Sequence, residues 1–328
     1  MDSNRPLRVL VVGAGVMGAA HAHALRGSLQ AAVCGVVDLR EQAANSLASE
    51  VGVPGFTDLA QAIEATDPDA AVVATPDSAH RQPAEIAIDA GLAVLVEKPL
   101  ATTVEDAEAI VRSAERAGVR LMTGHLTRFY PRYAQAADLI HSGELGSPVM
   151  VTATKWGLTS LGARVAASTS PLWHFAIHEI ETMHWITGGV ISEVDGAQLV
   201  ESRSGLSIFA ATGTLSTGCA FHLATGWTLP RNSYPRRDFK VHCDRGVVEA
   251  MWSTDGLSVD DADGVRQLDC MAWPTLHGRV EGALRMEVDH FVQSVLEGTP
   301  FVIKPEEAVD AVRSAVKLEQ AAIRRSVS

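Results

Sequence analysis

Four short stretches of the sequence carry side chains or backbone that could do chemistry. Gly13-Ala14-Gly15-Val16-Met17-Gly18 follows an apolar run, Leu7 to Val12, and opens a helical pattern, Val16 to Arg26. In that setting each glycine has a task. The first permits a tight turn, the second lets the backbone approach a pyrophosphate, and the third lets helix and strand pack closely. The free N–H groups and positive dipole end of the helix then face the phosphates. Asp38 ends the second predicted strand, twenty residues after Gly18, where an acid hydrogen-bonds ribose hydroxyls and repels a 2′-phosphate. NAD(H) is therefore the favoured cofactor, and Arg40 is close enough in sequence to leave NADP(H) open.

Two more stretches fall at predicted strand ends, Thr75-Pro76 with His80, and Glu97-Lys98-Pro99. Read alone, the first is a turn and the second a solvated loop. Beside a nucleotide site they line the crevice at the carboxyl ends of the strands, and the Lys98 ammonium can donate to a substrate oxygen near the nicotinamide. The fourth stretch is a helix predicted over Leu172 to Thr187, with His174 and His178 one turn apart on one face. An imidazole titrates near ~6.5, which suits proton transfer around neutral pH. The same spacing can hold zinc, but no third ligand is clearly placed, so no metal is expected. His125, Arg128 and Tyr130 follow the fifth predicted strand and, with Trp173, are the candidate substrate contacts. Trp227, Arg231, Tyr234, Arg236 and Arg237 form an aromatic and basic segment. It suits a sugar ring and an anion, or a surface loop or a subunit contact.

The elements that must position these groups change character once along the chain. Up to residue 125, apolar runs (Leu7 to Val12, Ala32 to Val37, Ala70 to Ala74, Ala93 to Val96, Val119 to Met122) alternate with helical patterns. Strands apolar on both faces between helices mean a parallel sheet covered on both sides. After it, Thr-, Val- and Ser-rich alternating stretches such as Val149 to Lys155 and Thr217 to Thr225 predict a mostly antiparallel sheet. The fold class is α/β, with a dinucleotide-binding domain over 1–125 and a substrate-binding and oligomerisation domain over 126–328. The last predicted helix, about 305–325, is expected to pack back on the first domain.

Four motifs in fixed order give a resemblance over nearly the whole length. They are the glycine loop with His21-Ala22, Val73-Ala74-Thr75-Pro76 with His80, Val94 to Leu100 around Glu97-Lys98-Pro99, and Gly124-His125 with Arg128-Phe129. The sequence resembles the glucose–fructose oxidoreductase / inositol dehydrogenase / rhizopine-catabolism (Gfo/Idh/MocA) family. The resemblance implies a Rossmann domain followed by an α+β domain with an open, mostly antiparallel sheet. It implies a nicotinamide dinucleotide and reversible oxidation of a sugar or cyclitol hydroxyl. It also implies a homodimer or homotetramer and a catalytic set containing Lys98 and His178. The family's Asp, four residues before that His, is replaced here by His174, which cannot carry a permanent negative charge. Two rival readings share the fold: transient use of NAD to cleave a glycosidic bond, and a non-catalytic dinucleotide sensor.

Composition narrows the partners. The 328 residues carry 27 Lys plus Arg against 39 Asp plus Glu, a net charge of −12, which argues against a duplex nucleic-acid surface and against anionic membranes. The four cysteines are scattered with no C-x-x-C pair, so neither a disulfide framework nor a structural zinc is suggested. The start of the sequence has no basic-then-apolar leader, and a cytoplasmic protein is expected.

Overall fold

Strands that are apolar on both faces must be covered on both faces, and the first unit of the protein is built to that demand. The computed structural model describes residues 5–202, 205–230, 233–251, 257–261, 264–268 and 270–327. The chain forms two units, Met1–Phe129 with Met271–Val309, and Tyr130–Cys270 with Asp310–Ser328.

In the first unit the order is β1 (Leu7–Val12), α1 (Val16–Arg26), β2 (Ala31–Val37), α2 (Glu41–Val51), β3 (Gly55–Phe56), α3 (Leu59–Thr66), β4 (Ala70–Val73), α4 (Arg81–Asp89), β5 (Ala93–Glu97), α5 (Val104–Ala117) and β6 (Leu121–Gly124). The sheet is parallel, in the order β3-β2-β1-β4-β5-β6. This order reverses direction beside β1, which puts the strand ends that flank a dinucleotide crevice next to one another. Val9 to Val11, Ala70 to Val73 and Val94 to Val96 are almost wholly buried, as two-sided strands require. The short pair β3 and α3 is absent from the sequence reading, although Asp58 caps α3 by accepting from the Gln61 N–H at 2.8 Å, a detectable start signal.

The second unit holds α6 (Pro131–His141), β7 (Pro148–Leu158), α7 (Thr159–Val165), a π-helical turn over Leu172–Ala176 that runs into α8 (Ile177–Thr187), β8 (Ile191–Ser202), β9 (Ser207–Leu215), β10 (Ala220–Leu229), β11 (Arg236–Cys243) and β12 (Gly246–Met251). The hairpin β13 (Leu257–Asp261) and β14 (Gly264–Leu268) follows. With β17 (Ala322–Val327) at one edge, the large sheet runs β12-β11-β7-β10-β9-β8-β17 and is mixed: β7–β10 and β8–β17 are parallel pairs, the others antiparallel. Helix α8 packs on β7, and α6 packs on α8 and β12.

The return of the chain to the first unit differs from the expected one. It is made by Met271–Val309, with the small hairpin β15 (Thr275–Leu276) and β16 (Arg279–Val280), then α9 (Ala283–Glu297) and the start of α10 (Pro305–Ala321). Helix α9 buries Leu284, Val288, Phe291 and Val292 and packs on α1, so the apolar stripe of α9 is what ties this segment back. From Asp310 onward the chain belongs to the second unit. The predicted helix to residue 325 stops at Ala321, because Ala322–Val327 (β17) pairs with β8 and occupies that strand's edge.

One charged side chain organises the second unit. Along β11, Arg237, Phe239 and Val241 point inward while their neighbours are more exposed. The buried Arg237 is paired with the equally buried Glu179 of α8 at 2.8 Å, donates to Thr182 Oγ1 at 3.2 Å, and lies over the Tyr133 ring of α6 at 4.5 Å. Arg237→Met strands Glu179 as an unanswered buried charge, and is expected to destabilise this unit by about 3–5 kcal/mol. Replacing both partners by apolar residues recovers most of that loss. Urea unfolding of the single and double variants is the check.

Candidate functional site

The glycine loop has the geometry its sequence demands. Gly13 has φ +101°, and a Cβ there would lie 2.4 Å from the Ala74 carbonyl oxygen at the end of β4. A Cβ on Gly18 would lie 1.8 Å from the Gly13 carbonyl oxygen, so only glycine lets α1 start this close to the turn. Gly15 is different: nothing stands within 4 Å of a Cβ placed there. It caps α1 with no side-chain hydrogen bond and no acid in the first turn, so the helix N–H groups meet open space. Val16 is 73% exposed and Leu39 91% exposed, leaving apolar surface at the loop and just past Asp38. This open cradle of backbone donors, with an acid beside it, fits the pyrophosphate and ribose of a dinucleotide.

Asp38 follows β2 immediately and is bound into the loop. Its Oδ2 accepts from the Ala14 N–H at 2.8 Å, and its Oδ1 accepts from the Arg40 backbone at 2.9 Å and Arg40 Nε at 3.1 Å. Partial burial works to raise the carboxyl, but the Arg40 side chain, then the Arg40 and Ala14 N–H groups, hold it below the usual carboxylate range. Arg40 is therefore engaged by Asp38 instead of standing alone as a second phosphate ligand.

The ends of β4 and β5 are tied by one imidazole. His80 is buried, with Nδ1 2.8 Å from the Pro99 carbonyl oxygen and Nε2 3.0 Å from the Thr75 carbonyl oxygen. Thr75 Oγ1 donates to the Ala79 carbonyl at 2.9 Å, so Thr75 and the exposed Pro76 shape a short turn over Asp77–Ala79. His80, expected as a cofactor contact, makes this staple. The Lys98–Pro99 peptide is cis. Glu97 is buried, with Oε1 2.7 Å from His21 Nε2 and Oε2 accepting the Lys98 N–H at 3.1 Å. Lys98 itself is half-buried at the end of β5, on the same edge of the sheet as the glycine loop.

The remaining candidates separate into two kinds. His125 is buried directly after β6, and among the described residues neither ring nitrogen has a hydrogen-bond partner. Its pKa is pushed down to about 3, by burial first and then by the Arg128 and Lys98 cations. It is a neutral ring with both nitrogens still to be satisfied. Arg128, Tyr130 and Trp173, expected as substrate contacts, each have a partner within their own unit. Arg128 Nη1 binds the Val302 carbonyl at 2.7 Å and Glu307 at 3.0 Å. Tyr130 is buried edge-on to Tyr133, and Trp173 Nε1 donates to Glu319 Oε1 at 3.1 Å.

In the second unit, Leu172 to Thr187 is buried nearly all round, and the half-open positions are His174, His178 and Trp185. His174 lies in the π-helical turn and His178 in the first turn of α8, so the two rings are offset by a wider turn than the expected α-helical spacing. His174 packs against Phe175 and Trp227, with centroids 5.0 and 6.0 Å away. The His178 carbonyl accepts from Thr182 Oγ1 at 2.7 Å, and Thr182 in turn is held by Arg237. Of the aromatic and basic segment, Trp227 and Arg237 are core residues, Arg236 stacks over Tyr234 at 5.5 Å, and Arg231 lies outside the described residues. Sequence reasoning missed Glu287, which shares the buried face of α9 with Leu284, Val288 and Phe291. A charged residue on an apolar stripe was the available signal.

A six-stranded parallel sheet in this order, with a glycine loop opening α1, defines a doubly wound dinucleotide-binding unit joined to an α+β unit. A family model described as an oxidoreductase family with an NAD-binding Rossmann fold matches residues 7–125, and one described as the GFO/IDH/MocA C-terminal domain matches residues 133–249. The chain belongs to the Gfo/Idh/MocA oxidoreductase family. It is 35% identical over 196 residues to inositol 2-dehydrogenase 4 of Saccharopolyspora erythraea, a match spanning 58% of this chain and 57% of that protein, so it covers little more than half of that relative. Its fold is that of GenD2 from gentamicin A biosynthesis, solved in complex with NAD (TM-score 0.85, 24% identity, 98% of this chain and 95% of that one). It is also that of scyllo-inositol dehydrogenase from Lactobacillus casei, solved with NAD(H) and scyllo-inositol (TM-score 0.82, 20% identity, 97% of each chain). Among the described residues no helix is long and apolar enough to cross a membrane.

The second and third glycines of the loop separate folding from binding. Gly18→Ala is expected to cost about 1–3 kcal/mol or more through the clash with Gly13. Gly15→Ala keeps its thermal midpoint but loses NADH affinity, and thermal melts with NADH titration by fluorescence distinguish the two. His125 gives a pH signature. Below its unfolded value of 6.5 the unfolded chain takes up a proton that the folded chain refuses down to about 3. This residue's contribution to stability therefore falls as pH drops through that window, by up to about 1.4 kcal/mol per unit. Urea midpoints between neutral and acid pH should fall less steeply in His125→Asn.

Proposed function

We propose that the protein is an NAD(H)-dependent oxidoreductase acting on a hydroxyl-bearing carbon of a sugar, sugar derivative or cyclitol. The observation that carries the reading is Lys98. A half-buried cation stands at the end of β5, two strands from the glycine loop, with its backbone held by a buried carboxylate. The inositol 2-dehydrogenase relative supports the substrate class.

The bound dinucleotide supplies the hydride acceptor or donor. The chain's own groups do the rest. The first-turn N–H groups of α1 around Gly15, Val16, Met17 and Gly18 hold the phosphates, and Asp38 takes the ribose hydroxyls. Its negative charge, already engaging Arg40, disfavours a 2′-phosphate and so favours NAD(H) over NADP(H). Lys98 donates to the reacting substrate oxygen and stabilises the negative charge that grows on it. His178 takes the hydroxyl proton as general base, and returns it in the reverse direction. His174 offers a hydrogen bond to a neighbouring hydroxyl, where a carboxylate would have added a charge. His125 offers a neutral donor or acceptor near the Lys98 end of the sheet.

A screen of sugars and cyclitols, followed by the appearance of NADH absorbance, tests the reading, with NADP⁺ in parallel. Turnover with NAD⁺ at a higher kcat/KM than with NADP⁺ is the expected result. Lys98→Ala keeps NADH binding and loses turnover, and His178→Asn lowers kcat by roughly 10²- to 10⁴-fold. A fully active Lys98→Ala removes that residue from the mechanism. Absence of any substrate-dependent NADH signal across the screen favours a sensor.

A further inference from the structure

Behind the strand end that carries Lys98, three side chains from separate elements converge. His21 comes from α1, Glu97 from the end of β5 and Glu287 from α9, and all three are buried. One ligating atom from each lies within 4.8 Å of the other two. The pairings are unequal. Glu97 uses both oxygens, one against His21 Nε2 at 2.7 Å and one on the Lys98 N–H at 3.1 Å. Among the described residues, neither oxygen of the fully buried Glu287 has a hydrogen-bond partner, and His21 Nδ1 has none either.

An ionised Glu287 would be a second carboxylate in the same dry space, with no donor of its own. Two carboxyl groups this close cannot both stay ionised, and one of them keeps a proton. Which one is settled by the partners. Glu97 has a cationic or hydrogen-bonding group on each oxygen, whereas Glu287 lies close to both His21 and Glu97 but, among the described residues, has a hydrogen bond on neither oxygen. The other charges on the packed elements are already engaged. Arg128, on the segment that packs against α9, is bound to Glu307 and the Val302 carbonyl, and Arg285 on α9 itself pairs with Asp289. The electrostatics agree with the geometry. Burial, then the Glu97 charge, pushes the Glu287 carboxyl well above the usual carboxylate range. Burial also works to raise Glu97, but His21 first, and then the Lys98 and His80 charges, hold it below that range.

We propose that Glu287 is a positioning residue: a neutral carboxylic acid that shares one proton with Glu97 and leaves Glu97 as the single buried anion behind Lys98. The proton sits on Glu287, so Glu97 keeps the charge with which it grips His21 and the Lys98 backbone. The link to turnover rests on Lys98 being the working cation, as proposed above; the location of the proton does not.

Infrared difference spectroscopy at neutral pH reads the proton directly. The wild-type protein should show the carbonyl stretch of one buried carboxylic acid. That band should vanish in Glu287→Gln. It should vanish as well in Glu97→Gln, because Glu287 then becomes the one anion beside His21. A purely structural Glu287 gives no such coupled loss. No acid band in the wild type, or a band that survives Glu287→Gln, overturns the proposal. So does one divalent cation per chain in the protein as purified, measured by elemental analysis and lost in Glu287→Gln. In the substrate assay, Glu287→Ala should lower kcat roughly tenfold or more, and Glu287→Gln should restore most of it. Equal damage by both substitutions, or none by Glu287→Ala, overturns the positioning role. If Glu287→Ala does not fold, the Glu287→Gln spectrum and rate still decide. If no substrate is turned over at all, the dehydrogenase reading fails while the infrared result stands by itself.

Discussion

A charge taken out of water must be answered by another charge or by several hydrogen bonds, and both units are organised around one such answer. In the first, Glu97 is answered by His21 from α1, and the same carboxylate holds the backbone of Lys98. In the second, Arg237 is answered by Glu179, with Thr182 and the Tyr133 ring completing its surroundings. Neither pair is needed to bury apolar surface; strands and helices rich in Val, Ala, Leu and Ile do that without them. Each pair instead fixes an element that bears a candidate reacting group: β5 for Lys98, α8 for His178. Stability and chemistry are thus joined through buried ions, which tolerate little displacement because their partners leave few alternatives.

The first unit was largely legible because its signals are local. Val16–Arg26 and Val104–Ala117 have the helix limits read from pattern and glycine punctuation, and β1 has the limits of its apolar run. The glycine loop could be read down to the task of each glycine, since turn, approach and packing leave different marks in sequence context. What escaped was either short or distant. Gly55–Phe56 is too brief to show a period, and the return of Met271–Val309 depends on which surface the stripe of α9 meets, a long-range choice with no local trace. The edge strand Ala322–Val327 escaped for the same reason: its helical neighbour sets the apparent pattern, while its pairing with β8 decides the outcome.

Among the site residues, position is legible in the sequence and the network of partners is not. Arg128, Trp173 and His80 have the chemistry of ligand contacts, yet each meets a demand inside its own unit: a carbonyl and Glu307, a glutamate on α10, two loop carbonyls. Buried polar groups are satisfied by backbone and by buried charge within the fold. Glu287 shows the converse. It belongs to no motif, and its meaning comes only from the carboxylate and imidazole that three-dimensional packing places against it.

The π-helical turn over Leu172–Ala176 makes the number of residues there as consequential as their identity. In an α-helix each residue advances the direction of its neighbours by about 100°. Shortening this segment by one residue would rewind it and swing His174 by roughly that angle relative to His178. An exchange of His174 for an acid, made to restore the aspartate that the family resemblance implies, would therefore deliver its carboxylate along a direction dictated by the local winding of the backbone. Grafting the chemistry of one member of this family onto another is a problem of helical phase as well as of residue type.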